Sequence, residues 1–376
     1  MTLLADDMTA IGTAVVRGAP CVQFAVGREA VLRLRPMLME LSARCDQAGA
    51  MDEMEYYLSR PGFAGKRPVV VLVGAGAGAD RVDGAVLLYE HQLRGVGCRV
   101  FTADYHGGER TVIAPLALRP RLAFTAAAAL MKRGALVVHL MYEDATAPVD
   151  TAGMECGGRR RFRWRAEERG MTGYLPILET VDETLATLGK HTRRNLRLYR
   201  RRAEADLGCV EVDRPEVTRD EFVGLNRICA YPVSDALAAW RYDATRRFPE
   251  GSLFLGLRGG NGDWLSLIGG RTHAGRTVIE WQMNRTDLPA YSLSTLMRSH
   301  LIEHEVERGI KRIYFVAGTS HPIRNSMVLD KFIDVTVLRY AVPAGLVRRF
   351  LPKDGEDEPS FLLKTLADDT RPWQRW

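Results

Sequence analysis

The stretch Thr277-Val278-Ile279-Glu280-Trp281-Gln282-Met283, followed by Arg285-Thr286-Asp287-Leu288-Pro289-Ala290-Tyr291-Ser292, decides the fold. The first seven residues open with β-branched and apolar side chains and predict a strand. The next eight carry Asp and Pro and predict a loop. Residues 293–308 are apolar at helical spacing and stop at Gly309; Arg312-Ile313-Tyr314-Phe315-Val316 is a second apolar run. Strand, loop, crossover helix and strand place the second strand parallel to the first. Ser292, Ser294 and Thr295 are hydroxyl residues suited to capping free amides at the helix start. Such a start offers N–H groups and a positive dipole end to a pyrophosphate. In open α/β sheets ligands bind outside the carboxyl ends of such strands.

Upstream of this crossover, residues 253–257, 264–272 and 277–283 predict a strand meander with Gly-rich turns at 258–262 and 274–275. Helices are expected at 181–188, 193–205, 219–229 and 234–247, and the crossover helix that follows them is expected to have a polar outer face. A strand is expected at 159–165 and another at 334–340. The first half predicts helices at 28–46, 52–59 and 121–132, and strands at 69–73, 85–89, 99–103, 111–113 and 135–141. Residues 144–158 mix Pro, Gly, Asp and Thr without periodicity and are expected to connect two domains.

The halves repeat one another in element order. Gly108-Glu109-Arg110-Thr111-Val112-Ile113 leads through a helix and Gly134 into Ala135-Leu136-Val137-Val138. Gly275-Arg276-Thr277-Val278-Ile279 leads through a helix and Gly309 into Ile313-Tyr314-Phe315-Val316. The chain's 376 residues suit two domains. The boundaries expected are 1–150, 151–350 and a tail at 351–376.

Composition bounds the function. Hydrophobic residues are 46% and charged residues 26%, an ordinary globular balance. The net charge of +6 suits a polyanionic partner: a CoA-type cofactor, RNA or a membrane surface. The six cysteines include no C-x-x-C pair, so reduced thiols are expected and a disulfide framework or thiolate zinc site is not. No apolar run is long enough to span a bilayer and residues 1–18 lack a signal-peptide core, which leaves the cytoplasm as the expected location.

With these residues in place the chain resembles the GNAT acyltransferase superfamily, and its doubled arrangement resembles the FemAB/CelD-like branch. Leu188-Gly189-Lys190-His191-Thr192-Arg193-Arg194-Asn195-Leu196-Arg197 is similar to that branch's basic helix start. Ala290-Tyr291-Ser292-Leu293-Ser294-Thr295-Leu296 is similar to its cofactor loop. The resemblance implies an α/β fold of tandem GNAT-like domains, each a mixed, mostly antiparallel sheet flanked by helices, the N-terminal one degenerate. It implies acetyl-CoA or a longer acyl-CoA as co-substrate, held by Trp281, Gln282, Met283, Asn284, Tyr291, Ser292, Leu293, Ser294 and Thr295. The loop 285–292 departs from the family's Gly-rich phosphate loop in having no Gly, and Gly318 is followed by Thr319-Ser320-His321 rather than a Tyr-Lys pair.

The implied chemistry is amine acylation: the amine loses a proton, attacks a thioester, and the thiolate is reprotonated. Glu280 is the candidate base, with a solvent-facing strand residue as its other reading. Tyr314 is the candidate proton donor to sulfur, against a core tyrosine with a tethered hydroxyl. His321 is a second candidate base, against an ordinary loop histidine. Three functions stay open: an N-acyltransferase acting on an amino sugar, amino acid or peptide amine; an aminoacyl-tRNA-dependent transferase, with tRNA as partner; and a non-catalytic binding or scaffold protein in polysaccharide or envelope assembly.

Seven cations crowd residues 190–202, and Arg193, Arg194 and Arg197 are the candidates for a phosphate or the acceptor. Alternation in residues 159–165 sets Phe162 and Trp164 on one face and arginines on the other, as in an edge strand guarded by charge. Gly74-Ala75-Gly76-Ala77-Gly78 lacks the following helix that a dinucleotide loop requires. His300-Leu301-Ile302-Glu303-His304 matches H-x-x-E-H, but a third ligand would have to come from a distant acid such as Glu356 or Glu358, so no metal is assigned.

Overall fold

The computed structural model describes residues 12–14, 21–45, 66–74, 82–93, 95–103, 111–143, 162–249, 251–273, 275–315, 319–339 and 374–375, with residues 47, 54, 55 and 59 between them. The expected connection at 144–158, the glycine run beyond Gly74, Val316, Gly318 and nearly all of the tail lie outside the described residues.

In chain order the elements are β1 (Gly12–Ala14), β2 (Cys21–Val26), α1 (Arg28–Arg33), α2 (Arg35–Arg44), β3 (Lys66–Gly74), β4 (Val82–Leu93), β5 (Val96–Thr102), β6 (Val112–Ile113), α3 (Arg119–Lys132), β7 (Val137–Glu143) and β8 (Phe162–Pro176). There follow α4 (Val181–Ala186), α5 (Lys190–Leu207), β9 (Val210–Asp213), α6 (Arg219–Ile228), α7 (Asp235–Arg247), β10 (Ser252–Arg258), β11 (Trp264–His273), β12 (Arg276–Asn284), α8 (Leu293–Glu307), β13 (Arg312–Phe315), β14 (Val328–Arg339) and β15 (Gln374–Arg375). The starts of α4 and α6 are set locally: Thr180 with Glu183, and Thr218 with Glu221, form reciprocal capping boxes.

The chain forms two compact units, one of residues 1–58, 62–169 and 331–376 and the other of 59–61 and 170–330. In the first, β1 to β5 pair antiparallel in sequence order. Then α3 crosses over, β7 lies parallel to β5, and β14 pairs antiparallel with β7. Its core joins Val69, Val71 and Val73 of β3 to Phe124, Ala127 and Leu130 of α3. In the second, β9, β10, β11 and β12 pair antiparallel. Then α8 crosses over, β13 lies parallel to β12, and the end of β8 pairs antiparallel with β13. Leu255, Ile268, Ile279, Ile313 and Phe315 of this sheet pack on Leu293, Leu296, Met297 and Leu301 of α8.

The two units therefore repeat one plan, a meander followed by a parallel crossover. The sequence match within it is shifted, however. The strand parallel to β7 is Val100-Phe101-Thr102, not residues 111–113, which pair with β4 at Ala85 and Val86. Tetrapeptide similarity cannot see this, because parallel register is a property of two strands. Each unit is completed by the strand after the other half's crossover: the change from one unit to the other at 169/170 falls inside β8 and that at 330/331 inside β14.

Two further expectations change. Residues 162–165 are not a guarded edge: β8 pairs at this end with β15, Phe162 and Trp164 join the first core, and Arg165 is buried 3.5 Å from Glu167. The outer face of α8 is polar but not exposed; Arg298, His300, His304 and Glu305 are all buried.

Candidate functional site

The site begins at a β-bulge. In β11 and β12, Gly269 pairs with Trp281 and Gly270 with Ile279, leaving Glu280 as the extra residue. Both glycines are required by close approach: a Cβ on Gly270 would lie 1.9 Å from the Val278 carbonyl oxygen, and one on Gly269 2.1 Å from the Trp281 ring. The bulge flips the phase of β12. Ile279 faces α8, but Trp281 and Met283 face the opposite core of Phe222, Leu225, Phe254 and Leu267. Gln282 and Asn284 consequently turn towards α8. At the same point the parallel register with β13 ends, at Ile279 against Phe315. Beyond it β12 runs on for five residues.

Across the opening lies the start of α8. Ser292 is its N-cap, held at φ 45°, the left-handed conformation that usually calls for glycine. The expected capping is not observed. Among the described residues no side chain bonds the first-turn amides. The hydroxyls bond one another instead: Ser292 Oγ lies 2.8 Å from Thr295 Oγ1, which lies 3.1 Å from His321 Nε2. The direction of this chain is fixed at its far end. His321 Nδ1 accepts the Ile323 N–H at 3.2 Å, so the neutral ring carries its proton on Nε2 and donates to Thr295. Burial, and then the charge of Arg298, push the His321 pKa down to about 4, so the ring is neutral at pH 7. Both its nitrogens are engaged, which suits a positioning group and not a base.

Arg298, one turn into α8, holds the opening together. Its Nη1 donates to Gln282 Oε1 at 3.2 Å, to the Ser294 carbonyl at 2.8 Å and to Ser294 Oγ; its Nη2 donates to Thr319 Oγ1 at 3.0 Å. The guanidinium thus ties β12, the helix start and the loop after β13. Only 7% of Arg298 is exposed, and among the described residues its Nε has no partner and no carboxylate pairs with it. Burial alone pushes its pKa down to about 10. A buried cation without an anion is costly unless a ligand supplies one.

The other predicted residues divide between the two faces. Glu280 is bonded to Arg271 Nε at 2.8 Å, and Arg271 sits opposite Val278, which is level with Tyr314. This sets Glu280 and Tyr314 on one sheet face, away from α8. Tyr314 is buried with its ring centroid 5.5 Å from that of Tyr174. Trp281, Met283 and Leu293 are core residues. Asn284 Oδ1 accepts from Ser266 Oγ and Gln282 Nε2. Tyr291 lies under Arg202, whose guanidinium carbon is 5.2 Å from the ring centroid and whose Nη1 donates to the Ala290 carbonyl at 3.2 Å.

The cation touching the helix-start loop is therefore Arg202, not Arg193, Arg194 or Arg197. Arg197 is exposed and pairs with Asp182, while Arg200 pairs with Glu204 and Glu303. Three of the crowded cations thus find carboxylates inside the chain, counting Arg202 with Asp206. Sequence reading missed Arg298, Thr319 and Arg271. The signal for Arg298 was a lone cation between Leu296, Met297 and Leu301 on a helix due to be buried. Of two open cavities in this unit, one of about 240 Å³ is lined by Arg214, Arg246 and Phe254, and one of about 410 Å³ borders the 285–292 loop, lined by Asp206, Gly260, Asn261, Arg285 and Leu288.

No family model and no curated protein matches the sequence. Among solved structures the chain is similar to FemX, with TM-score 0.54, 10% identity, and coverage of 78% of this chain and 92% of that one. It is also similar to a tandem GNAT protein from the clavulanic acid biosynthesis pathway, at TM-score 0.41 and 13% identity over 89% of this chain and all of that one. The likeness is one of fold: the chain shares the fold of FemX.

Proposed function

We propose that this chain is an acyltransferase that takes an acyl group from acyl-CoA and passes it to an amine, using the opening between β12 and β13 in the second unit. The observation that carries the reading is Arg298, a buried cation that no carboxylate among the described residues pairs with, set beside a helix start whose amides no described side chain caps. That pair suits a pyrophosphate. The unpaired run of β12 past Ile279 offers backbone groups to the amides of a pantetheine arm, in the manner of strand addition.

In this reading the bulge presents Glu280 to the acceptor side, where Arg271 orients it. Glu280 takes the proton of the attacking amine, the N–C bond forms as the C–S bond breaks, and Tyr314 returns a proton to sulfur. His321 acts by holding Thr295 and Ser292 at the helix start. The acceptor, an amino sugar, amino acid or peptide amine, is proposed on chemistry alone. The first half is proposed as a degenerate copy, serving to complete the sheet.

The test is calorimetric titration of the purified chain with CoA, acetyl-CoA and a long-chain acyl-CoA, repeated on Ser294→Glu. The substituted carboxylate would neutralise Arg298 from within. Binding lost in the variant supports the reading. Absence of binding to every CoA overturns it, and aminoacyl-tRNA is then the donor to assay.

A further inference from the structure

The smaller cavity of the second unit, about 240 Å³, is not used by the amine-acylation chemistry. Its floor is β10. Ser252 and Phe254 stand two residues apart there and share a sheet face. Phe254 packs with Phe222 and Trp281, so this is the face turned away from α8. One wall is the turn between β9 and α6, with Arg214, Pro215 and Glu216; the other is the last turn of α7, with Arg246. Ser252 lies opposite Arg271, two strands from the strand that carries Glu280. That separation is roughly 10 Å across the sheet.

Three features of this cavity are unexplained by packing. Ser252 is 5% exposed, and its Oγ is buried with no partner among the described residues. Buried hydroxyls are ordinarily bonded. The second feature is charge. Arg246 Nη2 donates to the Val217 carbonyl at 2.8 Å, and its guanidinium carbon stands 3.9 Å from the centroid of the Tyr242 ring. These contacts fix the group in place and leave its charge without a carboxylate. The Arg214 side chain has no ion pair or hydrogen bond among the described residues. One exposed, unpaired arginine is ordinary; two beside an unpaired buried hydroxyl are a set of donors without an acceptor. The third feature is the backbone of Arg214. It is held at φ 47° directly before Pro215, where a residue is ordinarily extended. Its amide donates to the Phe254 carbonyl at 2.8 Å, which pins it to the cavity floor. Strain of this kind persists where the surroundings enforce it, and it gathers at ligand sites.

We infer that this cavity binds a small organic monocarboxylate. Arg214 and Arg246 offer guanidinium N–H groups to the carboxylate, and the Ser252 hydroxyl donates to it from the floor. Phe254 and Pro215 meet the apolar remainder of the molecule. Glu216 on the rim sets one negative charge against the two arginines. The lining is therefore matched to a monoanion, and it opposes a dianion such as inorganic phosphate. The volume limits the ligand too, being below the roughly 300–1,000 Å³ of sites for drug-sized molecules. The site is separate from the opening between β12 and β13 and does not depend on what the chain transfers.

The experiment is a titration of the full-length chain, without CoA, with benzoate and separately with inorganic phosphate, followed by calorimetry and by NMR of the ligand. The expected result is saturable binding of one benzoate per chain, with phosphate at least about tenfold weaker. Arg214→Gly removes the guanidinium and relaxes the left-handed backbone. It should weaken benzoate at least about tenfold while melting no lower than wild type. Ser252→Ala removes a hydroxyl that has no partner in the empty cavity. It should leave the melting temperature unchanged or raise it, and weaken benzoate about threefold or more. A residue with a structural role alone would lower the melting temperature and leave binding by the folded chain untouched. Arg227→Gln, at an exposed arginine of α6 paired with Asp235, should change nothing in benzoate binding. Absence of saturable benzoate binding to the folded wild-type chain, binding that survives both Arg214→Gly and Ser252→Ala, or phosphate bound as tightly as benzoate overturns the inference.

Discussion

Arg298 Nη1 donates to Gln282 Oε1 across 3.2 Å, joining the crossover helix to the strand that has just passed its bulge. The contact exists only because the bulge at Glu280 turned Gln282 towards the helix. One backbone irregularity therefore decides which side chains meet the helix start.

Removing the cation tests its hold. Arg298→Leu leaves Gln282 and Thr319 without their donor in a buried setting. At about 1–3 kcal/mol for a buried group left unsatisfied, the variant should lose about 2–4 kcal/mol, offset in part by relief of the desolvated charge. Urea unfolding measures this. Arg298→Lys should keep the charge but weaken CoA binding at least about tenfold, since a point charge cannot serve three directions.

Gly270→Ala tests the bulge. A Cβ at 1.9 Å from a backbone oxygen cannot be absorbed by a rotamer change, so the strands must part or lose the bulge. The expected loss exceeds about 3 kcal/mol, above the ordinary range for one substitution. A melt within a few degrees of wild type would show that β11 and β12 can pair without it.

Ser292 separates strain from hydroxyl. At φ 45° glycine is relaxed and alanine is not. Ser292→Gly should match or exceed the wild-type stability, while Ser292→Ala should be less stable than the glycine variant by about 0.5–1 kcal/mol. Both lose the hydroxyl that ends the chain from His321, so the difference between their midpoints reports backbone strain set against the greater unfolded-state freedom of glycine.

His321 gives a pH dependence with a definite sign. Its pKa falls from 6.5 unfolded to about 4 folded, so the folded chain resists protonation. Its contribution is fully present above pH 6.5 and is lost as pH falls from 6.5 towards 4. After discounting for partial exposure this amounts to about 1–2 kcal/mol. Denaturant midpoints at pH 7.5 and 5.0 should differ for wild type and differ less for His321→Asn.

Glu280→Gln distinguishes a base from an ion-pair partner of Arg271. Loss of the charge on a largely buried pair should cost about 1–3 kcal/mol in stability. If Glu280 also accepts the amine proton, kcat falls at least about 100-fold and the acid limb of the rate profile disappears. A variant that is less stable but fully active with amine and acyl-CoA would leave Glu280 a structural residue.

The crossover from Thr277 to Phe315 was legible because its signals are local. Apolar residues at helical spacing, Gly309 as the stop and a second apolar run are all printed within forty residues, and the structure places α8 and β13 within a residue or two of them. The doubled plan was legible for the same reason. Strand β9, with only four residues and a pattern of half-buried and exposed positions, offered no periodicity to find, and Glu211, which bonds His300 and His304, was missed with it.

What tertiary structure alone decided is everything that depends on two strands or a strand and a helix at once. The shifted match of β5 to β12 follows from parallel register. The facing of Trp281 and Gln282 follows from an extra residue in one strand of a pair. Ser292, Ser294 and Thr295 stand at the helix start, but their hydroxyls bond one another and Arg298 and not the amides. Sequence carries periodicity, which is local and additive along the chain; it does not carry register, burial or the presence of a counter-charge, which are properties of segments brought together by the fold.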